Sequence, residues 1–328
     1  MEQNGHGCTE LSSEAAYAVL RSLEDVHILI HRSPDGDCVG GGYAVYYILK
    51  SLGIRSRVCC ADPIPAMFDE ITQDVTFEEF EPKMRISVDV ADKKLFGDLP
   101  AADLDADILL CIDHHISNTH YAKQLFWDPD SSAACEVLFW MMQDNAIPIT
   151  REIARCLYVG IATDTGCFQF SNAGADTFAA VSAIKRMYPD LPYARLNREL
   201  FVLKSEGRIR LDTRLMQNIR LSENGKVALI YLPYSWMTEL KVSGDEVDGV
   251  ANLPMQILGV EIGITCKQQS DGSYRVSMRG GEHADVSAVC RQFGGGGHVK
   301  ASGCSFHEGT PEEVCGKLMQ AAEASLTA

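Results

Sequence analysis

Val26-His27-Ile28-Leu29-Ile30-His31-Arg32-Ser33-Pro34-Asp35-Gly36-Asp37-Cys38-Val39-Gly40-Gly41-Gly42 is the stretch from which the fold can be read. Residues 26–30 form a short apolar run of the kind a buried strand makes. A histidine, a proline and two aspartates then interrupt it. The three glycines lead into 43–52, a helical pattern closed by Gly53. Residues 54–60 read as the next strand. Strand, helix and strand in so short a span is a βαβ unit, and such units build parallel sheets.

The same rhythm extends in both directions. Residues 12–24 read as a helix capped by Ser12 or Ser13, with Tyr17, Leu20 and Leu23 at helical spacing. Strands are expected at 85–90 and 107–112, the second running into Asp113-His114-His115. Helices are expected at 131–144, at 150–163 with Asp164 at its end, and at 174–187. Tyr188-Pro189-Asp190-Leu191-Pro192 is a breaker. A charged amphipathic helix over 195–220 follows, and then a smaller α/β region. That region has strands at 226–232, 260–267 and 274–279, helices at 284–292 and 310–325, and the run Gly294-Gly295-Gly296-Gly297-His298. The predicted class is therefore α/β: an N-terminal parallel sheet with helices on both faces (1–190), a helical linker (191–222) and a smaller C-terminal α/β domain (223–328).

Composition narrows the function. The chain has 328 residues, 29 Lys plus Arg against 45 Asp plus Glu, and a net charge of −16. That balance argues against a basic coat for long duplex nucleic acid. The apolar runs fall far short of the roughly 20 residues that span a bilayer. The start of the sequence is polar and acidic, without the pattern of a signal peptide. The 12 cysteines contain no C-x-x-C pair, so reduced, buried thiols in a cytoplasmic protein are expected rather than a thiolate zinc site.

The Asp and His residues carry the chemistry. His31, Asp35 and Asp37 follow one strand, Asp89 ends another, and His114 and His115 end a third. Open α/β sheets bind ligands beyond the carboxyl ends of their strands, so three separated segments deliver acids and imidazoles to one edge. Asp164 can join them. Each piece alone is bland: Pro34-Asp35-Gly36 is an ordinary turn and Asp164-Thr165-Gly166 an ordinary helix end. Together they form a ligand set suited to Mn²⁺, Mg²⁺, Fe²⁺ or Co²⁺. Six candidates (His31, Asp35, Asp37, Asp89, His114, Asp164) exceed what one ion with an open position takes, and they suit two ions about 4 Å apart. In the C-terminal region, four consecutive glycines let the backbone approach a ligand and aim N–H groups at an anion. Arg279 can fork onto a phosphate.

Asp113-His114-His115, with His31-x-x-x-Asp35-x-Asp37 upstream, Asp89 between and Asp164 downstream, resembles the four motifs of the DHH phosphoesterases. Val276-Ser277-Met278-Arg279, Phe293-Gly294-Gly295-Gly296-Gly297-His298 and Ala301-Ser302-Gly303 resemble the DHH-associated C-terminal domain. Size and two-domain plan are most similar to the branch of bifunctional oligoribonuclease/pAp phosphatases, the NrnA-type nanoRNases. The resemblance implies one metal on His31, Asp35 and Asp89 and another on Asp37, Asp89, His114 and Asp164, with manganese the leading ion. It implies His115 at the scissile phosphate, with Asp89 as its catalytic companion. It implies substrate contacts from Arg279, Ser277, Gly295, Gly296, Gly297 and His298, and from Asn118, which extends the third motif.

The activity implied is hydrolysis of short RNA, linear dinucleotides such as pApA or pGpG, and pAp, by in-line attack of an activated water on phosphorus. The resemblance allows a homodimer and gives no role to a membrane. A cyclic-dinucleotide phosphodiesterase and a non-catalytic nucleotide sensor are the alternatives on this fold. The Gly294–297 run speaks against the pyrophosphatase branch, whose C-terminal domain differs.

Overall fold

The computed structural model describes residues 7–327. Its first sheet joins β1 (Thr9–Glu10), β2 (Val26–Leu29), β3 (Ser56–Cys59), β4 (Met84–Val88), β5 (Ile108–Asp113) and β6 (Gln124–Trp127). The strands are all parallel, in the order β1-β6-β5-β4-β2-β3. From β2 the chain passes to β3 on one side, then crosses to β4 on the other. The strand order therefore reverses between β2 and β4. A crevice opens at such a reversal, beyond the carboxyl ends of the strands.

The main helices of this unit are α1 (Ser13–Arg21), α2 (Gly36–Ser51), α3 (Ala134–Asp144), α4 (Arg151–Asp164), α5 (Ala175–Met187) and α6 (Tyr193–Phe201). Their buried residues make one core with the inward residues of β2, β4 and β5, among them Leu20, Ile28, Ile86, Leu110, Leu138 and Leu157. On the opposite face a smaller cluster gathers Leu29, Val90, Phe96, Leu99 and Leu125. Helices on both faces were expected. The second face is covered by the one-turn helical segments Lys93–Phe96 and Ala101–Leu104.

Helix α2 begins earlier than its pattern predicts. Asp35 caps it by accepting from the backbone N–H of Asp37 and Cys38, 3.0 Å each. The glycine run is thus inside the helix, where glycine is ordinarily costly. The reason is the crossing with α4. A Cβ on Gly40 would lie 2.5 Å from the Cys156 carbonyl oxygen, and one on Gly160 would lie 2.2 Å from Cys135 Sγ. Backbone meets backbone there, and no side chain fits between.

The first unit ends at Leu203 and the second begins at Lys204. The breaker at 188–192 thus lies within the first unit, where Leu191, Tyr193 and Leu196 are buried in its core. The single helix expected over 195–220 is two helices, α6 and α7 (Glu206–Gln217). The chain restarts at Ser205, whose hydroxyl caps α7 by accepting from Arg208 N–H at 3.0 Å.

In the second unit, β7 (Arg220–Leu221), β8 (Val227–Leu232), β9 (Ile262–Gln268), β10 (Tyr274–Gly280), β11 (Gly296–His298) and β12 (Ala301–Phe306) form a sheet in the order β11-β12-β10-β9-β8-β7. Only β8 and β9 pair in parallel. Helices α8 (Val286–Arg291) and α9 (Pro311–Thr327) pack residues such as Val289, Val314 and Leu318 against it.

Candidate metal centre and anion pocket

The crevice between β2 and β4 receives the predicted ligands from four chain segments. His31 and Asp35 come from the loop after β2 and Asp37 from the first turn of α2. Asp89 follows β4, His114 follows β5, and Asp164 ends α4. The structure brings all six together. His31 Nε2 lies 3.6 Å from Asp35 Oδ2 and 3.7 Å from Asp89 Oδ2. His114 Nε2 lies 3.6 Å from Asp89 Oδ1, 3.4 Å from Asp164 Oδ2 and 3.9 Å from Asp37 Oδ2. These gaps are too long for hydrogen bonds. They are the spacing of atoms sharing an ion.

Both imidazoles are set for that use. His31 Nδ1 is 2.8 Å from the Arg32 carbonyl oxygen, and His114 Nδ1 is 3.2 Å from that of Ser131. A carbonyl only accepts, so each Nδ1 carries a proton and each Nε2 is the atom that would offer a lone pair to an ion among the carboxylates. Metal-binding histidines are oriented in this way. Asp37 is wholly buried, and its carboxylate accepts from the N–H groups of Ala134 (2.6 Å) and Cys135 (3.0 Å) at the start of α3. It thereby caps a helix whose own N-cap, Ala133, has no side-chain acceptor.

Asp89 is the pivot. Its backbone is left-handed at φ 59°, an unusual conformation for a residue other than glycine. Its N–H donates to the Ile112 carbonyl at 2.9 Å. The side chain is 2% exposed, with one oxygen toward His31 and the other toward His114, and the second oxygen, Oδ1, has no hydrogen-bond partner. A buried carboxylate oxygen left unpaired is costly. Cations would satisfy it, so the residues present fit a pair of divalent ions.

The electrostatics agree. Burial, then the charge of Asp89, pushes the Asp37 carboxyl up to about 7. Burial and the charges of Asp37, Asp89 and Asp35 push Asp164 up to about 9. Asp89 is raised by burial as well. Asp35 moves the other way: burial would raise it, but the His31 ring beside it and the Asp37 and Cys38 N–H groups lower it. Asp37, Asp89 and Asp164, crowded without cations, resist ionisation, and divalent ions remove that cost.

His115 stands apart from the ligand set. Its Nδ1 is 2.8 Å from Asp113 Oδ1 and 3.4 Å from Asp89 Oδ1, and its side chain is 40% exposed. Burial opposes a charge on the ring, but the Asp113 hydrogen bond and the Asp89 charge outweigh it and hold the pKa up to about 9. Sequence reasoning gave Asp113 no role of its own, although it opens the D-H-H string. It is fully buried, accepts also from His114 N–H at 2.9 Å, and takes 2.5 Å from Asn118 Nδ2 on its other oxygen. Asn118, expected on the substrate, is itself buried and spends its amide on Asp113 and on the backbone N–H of His120. It braces the centre from behind. Cys38 was also passed over. Its Sγ falls within 4.8 Å of the ligand atoms of His31, Asp35 and Asp89. A further group, His27, Cys59 and Asp103, already holds a cation, because Arg85 Nε donates to Asp103 at 3.0 Å.

In the second unit, a pocket of about 790 Å³ is lined by Ser277 and Arg279 of β10, Gly294, Gly295 and Gly296, and the facing residues of β12. Arg279 is aimed by Asn252 Oδ1, which accepts from its Nε at 3.2 Å. A Cβ on Gly295 would lie 2.2 Å from the Gly303 carbonyl oxygen, so the run is pressed onto β12 and is not a free loop. Gly297 and His298 continue along β11 beyond this lining, and His298 is exposed.

Comparison with known proteins accords with both halves. The model of the DHH family, N-terminal domain, matches residues 25–161, and that of the DHHA1 domain matches residues 224–328. The chain carries a DHH N-terminal domain and a DHHA1 domain. It is 26% identical over 294 residues to the probable bifunctional oligoribonuclease and PAP phosphatase NrnA of Streptococcus mutans, covering 88% of this chain and 92% of that one. It is 25% identical over 295 residues to the bifunctional oligoribonuclease and PAP phosphatase NrnA of Bacillus subtilis, covering 87% and 91%. The crystal structure of an exopolyphosphatase-related protein from Bacteroides fragilis matches this DHH–DHHA1 fold with a TM-score of 0.85 at 21% identity, covering 96% of each chain. Among the described residues, no helix is long and apolar enough to cross a membrane.

Proposed function

We propose that this protein is a dinuclear-metal phosphoesterase that hydrolyses short oligoribonucleotides, including linear dinucleotides, to mononucleotides, and that removes the 3′-phosphate of pAp. The single observation that carries the reading is Asp89: buried, one oxygen unpaired, and set between His31 and His114. Relatives named as bifunctional oligoribonuclease and PAP phosphatase, alike over most of both chains, support the substrate class.

In this reading His31, Asp35 and Asp89 hold one ion and Asp37, Asp89, His114 and Asp164 the other. Manganese suits the imidazole–carboxylate set, and Mg²⁺, Co²⁺ or Fe²⁺ fit the same donors. The ions, when bound, supply an acidified water and charge neutralisation at phosphorus. The chain does the rest. Asp89 keeps the two ligand sets in register. His115, held by Asp113, carries a proton at neutral pH that it can place on the leaving oxygen. Arg279, Ser277, the backbone run Gly295, Gly296 and Gly297, and His298 bind the nucleotide. Twelve cysteines, all unpaired, accord with a cytoplasmic location.

The test is one assay plate. Purified protein with Mn²⁺ meets pAp, pGpG, a five-nucleotide RNA, cyclic di-AMP and pyrophosphate, with Asp89→Asn alongside. Turnover of pGpG and the short RNA, lost in the variant, is expected. Turnover of pyrophosphate alone would overturn the reading, as would tight binding of a nucleotide with no turnover of any of the five.

A further inference from the structure

The pocket in the second unit is longer than one nucleotide requires. On β10 the buried positions are Tyr274, Val276 and Met278, so Arg275, Ser277 and Arg279 share the outward face. The register pairs Arg275 with Ser305 and Arg279 with Ala301 on β12, and Arg275 with Lys267 on β9. The lining therefore runs from Arg279 and the glycines at one end to Arg275, Ser305 and His307 at the other. Four residues of strand separate the two arginines by about 13 Å. That distance takes more than one phosphodiester step to cross.

The two ends are built differently. Arg279 is half-buried and aimed by Asn252. Arg275 is exposed, and among the described residues it makes no hydrogen bond or ion pair. The acid near this end, Asp271, has its carboxylate engaged by the N–H (2.9 Å) and hydroxyl (2.6 Å) of Ser273. A guanidinium left uncompensated on a strand face, beside a lysine in register, in a chain of net charge −16, is a place for a phosphate. Single-strand binders track the backbone with cations spaced in this manner.

We infer that Arg275 forms a second phosphate station, one that oligonucleotides of three or more residues reach and that pAp and dinucleotides do not. This rests on the function proposed above. Arg279 and the glycines then serve every substrate, and Arg275 sets the preference for length. The ligand it takes is a phosphodiester of single-stranded nucleic acid.

The test uses the full chain as wild type, Arg275→Ala and Arg275→Lys. Kinetics are measured on pAp, pGpG and a five-nucleotide RNA, and calorimetry reads binding of the five-nucleotide RNA in an Asp89→Asn background. Arg275→Ala should raise KM for the five-nucleotide RNA about 3- to 10-fold, the scale of one exposed charge-assisted contact. Values of kcat, and KM for the two small substrates, should stay within about twofold of wild type on the same scale. The slope of log affinity against log salt should shrink by about 0.7, one phosphate contact on a single strand. Arg275→Lys should restore most of the loss. Equal loss on all three substrates, or no change on the long one, overturns the inference. If the wild type turns over none of them, the proposed function falls, and the calorimetric ratio still decides the role of Arg275.

Discussion

Replacing Asp89 by Asn changes charge and little else. The side chains are isosteric, and asparagine accepts the left-handed backbone at this position more readily than most residues. Two opposite effects follow. Without metal, Asp37 is pushed up to about 7, largely by burial and then by Asp89. That position corresponds to roughly 4 kcal/mol held against its ionisation. A carboxyl whose folded pKa lies above its unfolded value loses stability as pH rises through that interval, so the metal-free cluster weakens the fold at neutral pH. Removing the Asp89 charge should return about 1–3 kcal/mol, raising the metal-free Tm by roughly 3–10 °C in a unit of this size. With metal, the variant lacks its shared anionic ligand. Turnover of pGpG should fall at least about 10³-fold, the effect of losing roughly 4 kcal/mol of transition-state stabilisation. Manganese should raise its Tm far less than it raises that of the wild type. Differential scanning fluorimetry with and without Mn²⁺, beside a pGpG assay, reads all three quantities. Turnover within tenfold of wild type, or an unchanged metal-induced shift in Tm, would refute the two-metal reasoning.

Three other outcomes are expected. Asp113→Asn removes the partner that holds His115 up to about 9, so the alkaline limb of the kcat profile should move to lower pH. Its kcat should drop about 10- to 100-fold, the usual cost of losing an outer partner, while bound metal measured by atomic emission stays near wild type. Gly160→Ala would place a Cβ 2.2 Å from Cys135 Sγ and 2.7 Å from Asp37 Oδ1. Overpacking of that kind costs about 3 kcal/mol, and a fall in Tm of roughly 6–12 °C should be seen by circular dichroism. Chelation of the metal-loaded protein should lower Tm by several degrees, since ligand at about 100 times its Kd contributes about 2.7 kcal/mol. A chelator-indifferent transition would count against metal at the centre.

Much of this was legible in residue order. The apolar runs at 26–30 and 107–112 gave their strands because buried parallel strands read as continuous apolar segments. The six ligands were recognisable because the fold delivers strand ends to one edge. What escaped had physical reasons. β1 and β6 are two and four residues long, below the length at which alternation shows. The glycines of α2 read as a lead-in to the helix and not as part of it, since only the crossing with α4 explains them. The charged pattern over 195–220 ran across a helix break that a single serine cap creates. Asp113 received no role because its work is done on neighbours, His115 and Asn118, whose bonds to it appear only in three dimensions. The glycines at 294–297 read as a loop. Their pairing with β12 rests on the small residues Ala301 and Gly303, a contact no local pattern announces.

The crossing of α2 and α4 also bears on how such a chain can drift over generations. Gly40 lies against the α4 backbone at Cys156, and a Cβ on Gly160 would strike the Cys135 and Asp37 side chains, so a larger residue at either position strains the packing. The surrounding acids are under the opposite pressure. Without cations Asp89 and Asp164 burden the fold, and either one lost to a neutral residue relieves it, whereas Asp35 and Asp37 also cap helices. A lineage that abandoned hydrolysis would therefore be expected to shed aspartates early and keep its glycines. It would inherit the crevice as a ready-made hollow for another occupant.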